Sequence, residues 1–288
     1  MTLPNLALIL ASAVIHVVAH VALKRARDRM AFVWWMLFWG GVLFFPVLFF
    51  ARLAVPPVVW GIMTVSAIFE ALYLVAITRA YRLGDLSLVY PLARGTAPLF
   101  LLLWTTLFLS DRITPGGAGG IALIAAGLYI INLPRLGAWL QPLRSLSQPA
   151  PRWALLAGLC ISLYTFVDRA GIQQLDPLVY NYLVLWLTLL LVTPLALRRV
   201  GLPGLWAELR VSRFTGVVAG FTTVAAYTMV LYAIRWGTPA SYAGAVREVS
   251  VVFSGIVGVV FLKEQAPAAR PVGSILIVAG LVLIALLA

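Results

Sequence analysis

Five ionisable side chains stand inside otherwise apolar stretches of this chain: Glu70, Arg94, Asp168, Arg247 and Glu248. In hydrocarbon such a group costs several kcal/mol unless it faces protein or a wet cavity, so each is a candidate for binding or coupling. Arg94 lies eight residues into its stretch, about 12 Å deep at helical rise. Arg247 holds the equivalent place in a later stretch, with Glu248 directly after it. A guanidinium grips a carboxylate or phosphonate through two parallel hydrogen bonds, which leaves Glu70, Asp168 or Glu248 to hold an amino group or carry a coupling proton. The same charges also have a structural use. Arg94 with Glu70, and Arg247 with Glu248 or Asp168, would lock helices together without touching a substrate.

Other polar side chains fall beside these charges at helical spacing. His16 and His20 are one turn apart and share a face, which suits a polar, protonatable cavity wall. A metal site would need further ligands, and the chain offers only carboxylates and the lone Cys160. Tyr73 follows Glu70 by three residues, Tyr90 precedes Arg94 by four, and Tyr164 precedes Asp168 by four. Aromatic and ionic groups on one face suit an amphipathic organic solute, although tyrosine also serves ordinary packing. Pro91 and Pro98 bracket Arg94, which predicts a kink or hinge there.

The elements that must position these groups are legible from composition. Of 288 residues, 63% are hydrophobic and 10% charged, with a mean hydropathy of +1.03. A soluble domain is about a quarter charged, so a polytopic membrane protein is expected. The formal charge of +12 sits mostly in short gaps between apolar runs, the pattern of a membrane protein's basic loops. It does not indicate a nucleic-acid partner. One cysteine excludes an intrachain disulfide, and no phosphate loop or nucleophile elbow appears.

A span needs about 20 apolar residues. That ruler predicts ten, near 3–23, 31–51, 57–78, 86–109, 116–133, 153–173, 177–197, 214–234, 239–262 and 271–287. The first is read as a retained helix and not as a cleaved signal. Residues 134–152 are polar and read as a linker between a half at 1–133 and a half at 153–288.

The halves are related. An offset of 153 residues matches Arg82 with Arg235, Gly84 with Gly237, Arg94 with Arg247, Asp111 with Glu264, Gly120 with Gly273, and Ala126-Gly127-Leu128 with Ala279-Gly280-Leu281. Five spans separate equivalent helices, so the halves must cross the bilayer with opposite polarity: an all-α fold of ten transmembrane helices in two inverted-topology repeats. Helix pairs should approach closely at Gly119, Gly120, Gly127, Gly273 and Gly280. A cavity between the halves is expected to be lined by spans 1, 3, 4, 6, 8 and 9.

Ten spans, a five-plus-five repeat, the stretch Tyr90-Pro91-Leu92-Ala93-Arg94-Gly95-Thr96-Ala97-Pro98 and the helix-ending acids in Ser110-Asp111-Arg112 and Lys263-Glu264-Gln265 resemble the drug/metabolite transporter superfamily. Within it the chain is similar to EamA-type transporters. The resemblance covers essentially the whole chain. It implies a secondary transporter, not an enzyme, without cofactor, moving small organic solutes by alternating access in the bacterial inner membrane. Some members resembling this chain are associated with phosphonate utilisation. The expected substrate is therefore a small polar or zwitterionic metabolite, amino acid-like or aminophosphonate-like, with a proton as the candidate coupling ion. Its other partner is membrane lipid, with the chain a monomer or homodimer. The competing readings are a non-transporting scaffold, an integral membrane enzyme, or an exporter of divalent metals, drugs or cations. An enzyme would need a clustered acid, base or metal constellation at the membrane face, where this sequence has only arginine loops.

Fifteen Lys and Arg residues follow odd-numbered spans and four follow even-numbered ones. The positive-inside rule then puts the odd loops in the cytoplasm and both termini outside, whereas the resemblance implies both termini inside for many ten-span members. Alkaline phosphatase fused after Ala288 should therefore be active, and a fluorescent protein at the same position dark. A fluorescent fusion with inactive phosphatase would reverse the orientation.

Overall fold

In the computed structural model the helices run, in chain order, α1 (Leu3–Arg25), α2 (Arg29–Phe44), α3 (Val47–Phe50), α4 (Pro57–Leu83), α5 (Leu86–Phe108), α6 (Pro115–Ile130), α7 (Pro149–Gln174), α8 (Pro177–Arg199), α9 (Gly201–Arg235), α10 (Ala240–Arg247) and α11 (Ala269–Leu287). The structure describes residues 1–50, 55–84, 86–108, 113–131, 133, 136–138, 147–253, 256 and 269–287. Within helices, the side chains of His20, Lys24, Arg25, Leu86, Ser87, Leu88, Tyr90 and Pro91 lie outside that description.

Local chemistry sets the helix starts. Proline occupies the first turn of α1, α4, α6, α7 and α8, where its missing N–H breaks no helical bond. Among the described residues, side chains cap three N-termini. Asp28 Oδ1 accepts from Ala31 N at 2.9 Å, Thr114 Oγ1 from Gly117 N at 3.0 Å, and Asp176 Oδ1 from Leu178 N at 3.0 Å.

Among the described residues, seven helical segments are long and apolar enough to cross a membrane: α1, α2 continued by α3, α4, α7, α8, α9 and α11. Residues 92–108 of α5 and the whole of α6 are shorter apolar helices. The ninth predicted span begins as α10. Large apolar side chains such as Phe49, Leu107, Phe108 and Ile275 point outward, as a lipid-facing surface requires. The molecule is thus an all-α membrane protein built of two repeats, in fair agreement with ten spans.

The packing follows the repeat. The pair α1 with α9 recurs as α7 with α4, α2 with α9 as α8 with α4, and α5 with α7 as α10 with α1. The pairs α6–α11, α5–α10 and α2–α8 map onto themselves under the same exchange, so they straddle the pseudo-twofold axis. At the α6–α11 crossing, a Cβ on Gly120 would lie 2.7 Å from Gly280 O, and one on Gly127 would lie 2.6 Å from Gly273 O. The 153-residue offset converts one of these contacts into the other. The backbones touch, which only glycine permits.

One helix departs from the predicted lengths. At 35 residues α9 would measure about 52 Å, well beyond a hydrocarbon core of about 30 Å. It bends at Ser212, whose φ of −111° and ψ of 17° leave helical geometry. Glu208, buried, holds the corner: its Oε1 accepts from Ser212 Oγ at 2.6 Å and its Oε2 from the backbone N of Asp28 at 2.9 Å. Trp35 Nε1 also donates to Leu205 O at 2.8 Å. The segment before the bend is thereby fixed to the α1–α2 corner.

Replacing Gly120 or Gly127 by leucine should lower thermal stability in detergent by about 1–3 kcal/mol, the usual cost of overpacking. A leucine at Gly61, where an added Cβ meets nothing within 4 Å, should leave the melting temperature unchanged. Equal melting for all three variants would mean that the crossing is not close-packed.

Candidate functional site

A cavity of about 130 Å³ lies between the two halves. Its polar wall carries His16 from α1, Glu70 and Tyr73 from α4, Arg94 from α5, Tyr164 from α7, Asn181 and Thr188 from α8, Thr223 and Tyr227 from α9, and Arg247 from α10. Val33, Met36 and Leu37 of α2 are among the apolar residues that also line the cavity. Helices α2 and α8, spans 2 and 7, therefore line the cavity alongside the six expected spans. Leu23, Val33, Tyr73, Leu74, Arg94 and Ile161 are shared with a wider vestibule of about 620 Å³. That vestibule leads to Arg27, Arg29, Arg82 and Arg199. At the other face, Asn5 Nδ2 donates to Thr238 Oγ1 at 2.9 Å, and Thr114 Oγ1 donates to Leu287 O at 2.5 Å. These bonds tie the start of α1 to the α9–α10 turn and the end of α11 to the start of α6.

Among the described residues these charges resolve into one ion pair and several separate groups. Arg94 Nη1 donates to Glu248 Oε1 at 2.9 Å, with both side chains buried. Among the described residues the carboxylate paired with Arg94 is therefore Glu248, across the pseudo-twofold, and neither an Arg94–Glu70 nor an Arg247–Glu248 salt bridge forms. Glu70, half-buried, accepts from Thr188 Oγ1 at 2.6 Å. Arg247 lies 5.0 Å from the centre of the Tyr227 ring and 3.4 Å from His16 Nε2. A guanidinium only donates, so His16 Nε2 acts as acceptor there. Among the described residues no carboxylate forms a salt bridge with Arg247, and its Nε has no partner.

Asp168 is 1% exposed and lies behind the cavity wall. Its Oδ1 accepts from Ser66 Oγ and from Tyr180 OH, the latter at 2.8 Å, and its Oδ2 accepts from Tyr227 OH. Three hydroxyls, with no cation in contact among the described residues, hold this carboxylate. Tyr227 joins the two environments, with its ring under Arg247 and its hydroxyl on Asp168. Tyr164 stands between Tyr73 and Tyr227, with ring centres 6.4 Å and 6.0 Å apart respectively.

The backbone explains how adjacent residues serve different partners. α-Helix stops at Arg247, and Glu248 N, Val249 N, Val251 N and Val252 N then bond three residues back, to Ala245, Val246, Glu248 and Val249 carbonyls at 2.9–3.1 Å. This tighter winding falls where Arg247 turns to His16 and Tyr227 while Glu248 turns to Arg94. The kink expected at Pro91 and Pro98 is not what separates the halves. Helix α5 runs unbroken through both prolines, packed on α7 where a Cβ at Gly158 would reach 2.7 Å from Ala93 O, and the irregular winding belongs to its counterpart.

Residues 3–133 and 149–286 match the EamA-like transporter family, one match in each half. The chain belongs to that family. It is an integral membrane protein and a membrane transporter with two repeats. Twenty-eight solved chains also match it. One of them, a crystal structure of a protein 17% identical, superposes with a TM-score of 0.75 over 98% of this chain and 96% of that one. At that identity the likeness is one of fold. No curated protein matches the chain.

Of the residues singled out from sequence, the structure brings His16, Glu70, Tyr73, Arg94, Tyr164 and Arg247 to one cavity, with Glu248 bound to Arg94 and Asp168 one side chain behind. The side chains of His20 and Tyr90 lie outside the described residues, as do Asp111 and Glu264. Asn181, Thr188, Thr223 and Tyr227 were not foreseen. Asn181, Leu185 and Thr188 follow one another at four and three residues, a polar-edged helical face that was the available signal.

Glu248→Gln should destabilise the transporter by about 3–5 kcal/mol, because a buried guanidinium is left without its counter-charge. Arg94→Met combined with Glu248→Met should recover most of that loss, and Arg94→Ala combined with Glu70→Ala should not. Thermal unfolding in detergent reads all three. Rescue by the Glu70 combination would reassign the pair.

Proposed function

We propose that the chain is a secondary transporter carrying a small zwitterionic metabolite, amino acid-like or aminophosphonate-like, by alternating access between its halves, with a proton as coupling ion. The supporting observation is a single pair of opposite charges on the cavity wall that form no salt bridge among the described residues: Arg247 and Glu70. Arg94 and Glu248 are paired with each other. An anionic end group would take the fork of Arg247, and an ammonium would take Glu70. Tyr73, Tyr164 and Tyr227 wall the space for the carbon skeleton. At about 130 Å³ this inner space is smaller than drug-sized pockets of about 300–1,000 Å³, which favours a small metabolite over a bulky drug.

Glu70, Asp168 and Glu248 are the candidate proton carriers. Asp168 adjoins the cavity through Tyr227, whose ring lies under Arg247, so loading of Arg247 and the state of Asp168 meet at one side chain. We place the protein in a bacterial inner membrane with the arginine-lined vestibule towards the cytoplasm, as a monomer or homodimer, with halves 1–133 and 153–288 as the moving units.

Proteoliposome uptake of labelled amino acids and aminophosphonates, with and without an imposed pH gradient, tests this. Arg247→Lys keeps the charge and loses the fork, so KM should rise about 10- to 100-fold, the equivalent of a charge-assisted hydrogen bond of about 1.5–3 kcal/mol, with melting unchanged. Glu70→Gln should erase the preference for an amino-bearing solute over its deamino analogue. Absence of flux for every small solute, or equal flux of both analogues in the unmodified protein, would overturn the reading.

A further inference from the structure

The vestibule brings together more positive charge than membrane orientation requires. Arg27, Arg29, Arg82 and Arg199 all line one concavity of about 620 Å³, with Asp28 the acid among them. The positive-inside rule asks only that cations be numerous on one face. It does not ask four guanidiniums from three segments, the α1–α2 corner, the end of α4 and the end of α8, to converge on one space.

Arg199 carries the argument. It is half-buried, and its Nη1 is fully enclosed with no acceptor among the described residues. The charges that act on it are those of Arg82 and Arg79, and Asp28 opposes them more weakly. Arg79 is engaged elsewhere, 4.8 Å from the centre of the Trp153 ring, and Arg29 lies 5.8 Å from the centre of the Tyr81 ring. Like charges crowded on a concave, partly desolvated surface repel, and they attract an anion strongly for the same reason. The missing component of such a cluster is a multivalent oxyanion, which accepts several forked hydrogen bonds at once.

We propose that the vestibule is a phosphate-class oxyanion site, held by Arg199 and Arg82 with Arg27 and Arg29 at its rim. The ligand is either a free phosphorylated or phosphonate-bearing solute or the headgroup of an anionic lipid, since both present the same group. The site is separate from Arg247 and does not depend on what the inner cavity carries. Its wall is continuous with the inner cavity at Tyr73 and Arg94, so an anion held here stands on the route inward.

The experiment uses the full chain purified in detergent, with inorganic phosphate as probe and sodium chloride of equal ionic strength as control. Phosphate should bind saturably by calorimetry. Its Kd should rise at least tenfold in Arg199→Gln and in Arg82→Gln, and be unchanged in Arg210→Gln, an exposed arginine outside the vestibule. Arg82 is exposed, so its variant reports even if Arg199→Gln fails to fold. Nanodiscs separate the sources. If phosphatidylglycerol but not phosphatidylcholine blocks phosphate binding, and is retained by the unmodified protein but not by Arg82→Gln, the lipid headgroup is the ligand. If phosphate binds equally in both lipids, it is a free solute. Phosphate no better than chloride, with equal lipid retention by both proteins, overturns the site. These are binding readouts, so absence of transport would count against the carrier reading without touching this one.

Discussion

A buried arginine in a membrane must be met by an acid, and here the acid comes from the opposite repeat. The Arg94–Glu248 contact joins α5 to the residue that ends α10, and these two helices straddle the pseudo-twofold axis. In low dielectric neither charge is tolerable alone, so the contact fixes the rotation of both helices. What remains on the cavity wall follows from it. Arg247, next in sequence to Glu248, is left to an aromatic ring and an imidazole, and Glu70 is left to a threonine hydroxyl.

Asp168 meets the same constraint by another route. With no cation in contact among the described residues, it is surrounded by three hydroxyl donors, which stabilise a carboxylate by hydrogen bonding in place of charge. Such a group sits more loosely in the charge balance than one in a salt bridge. Its link to the cavity runs through one tyrosine, so polar changes at Arg247 have a short path to it.

Much of this was legible in the residue order. Apolar runs closed by proline, glycine and arginine gave the helices, and the 153-residue offset gave the repeat and the glycine crossing. Arg94 and Arg247 stood out because charge within an apolar run is costly. The choice of partner was not legible. Several acids lie within reach of two arginines, and sequence does not specify how far each helix is rotated about its axis. Thr188, Ser66, Tyr180 and Tyr227 looked like ordinary span residues, because a hydroxyl becomes informative only once its acceptor is known. The tighter winding after Arg247 has no proline to announce it. Glu208 fell in the basic stretch between two spans, where nothing in its neighbours indicated burial at a bend.

The glycine crossing of α6 and α11 has a mechanical consequence. Its two contacts, Gly120 with Gly280 and Gly127 with Gly273, are backbone against backbone, with the branched side chains of Ile124, Ile277 and Ile284 packed beside them. Sliding either helix by one residue would drive a neighbouring side chain into the opposing carbonyl. The crossing therefore behaves as an axle, able to turn slightly but not to slip. Because each contact is the image of the other, the axle looks alike from both membrane faces.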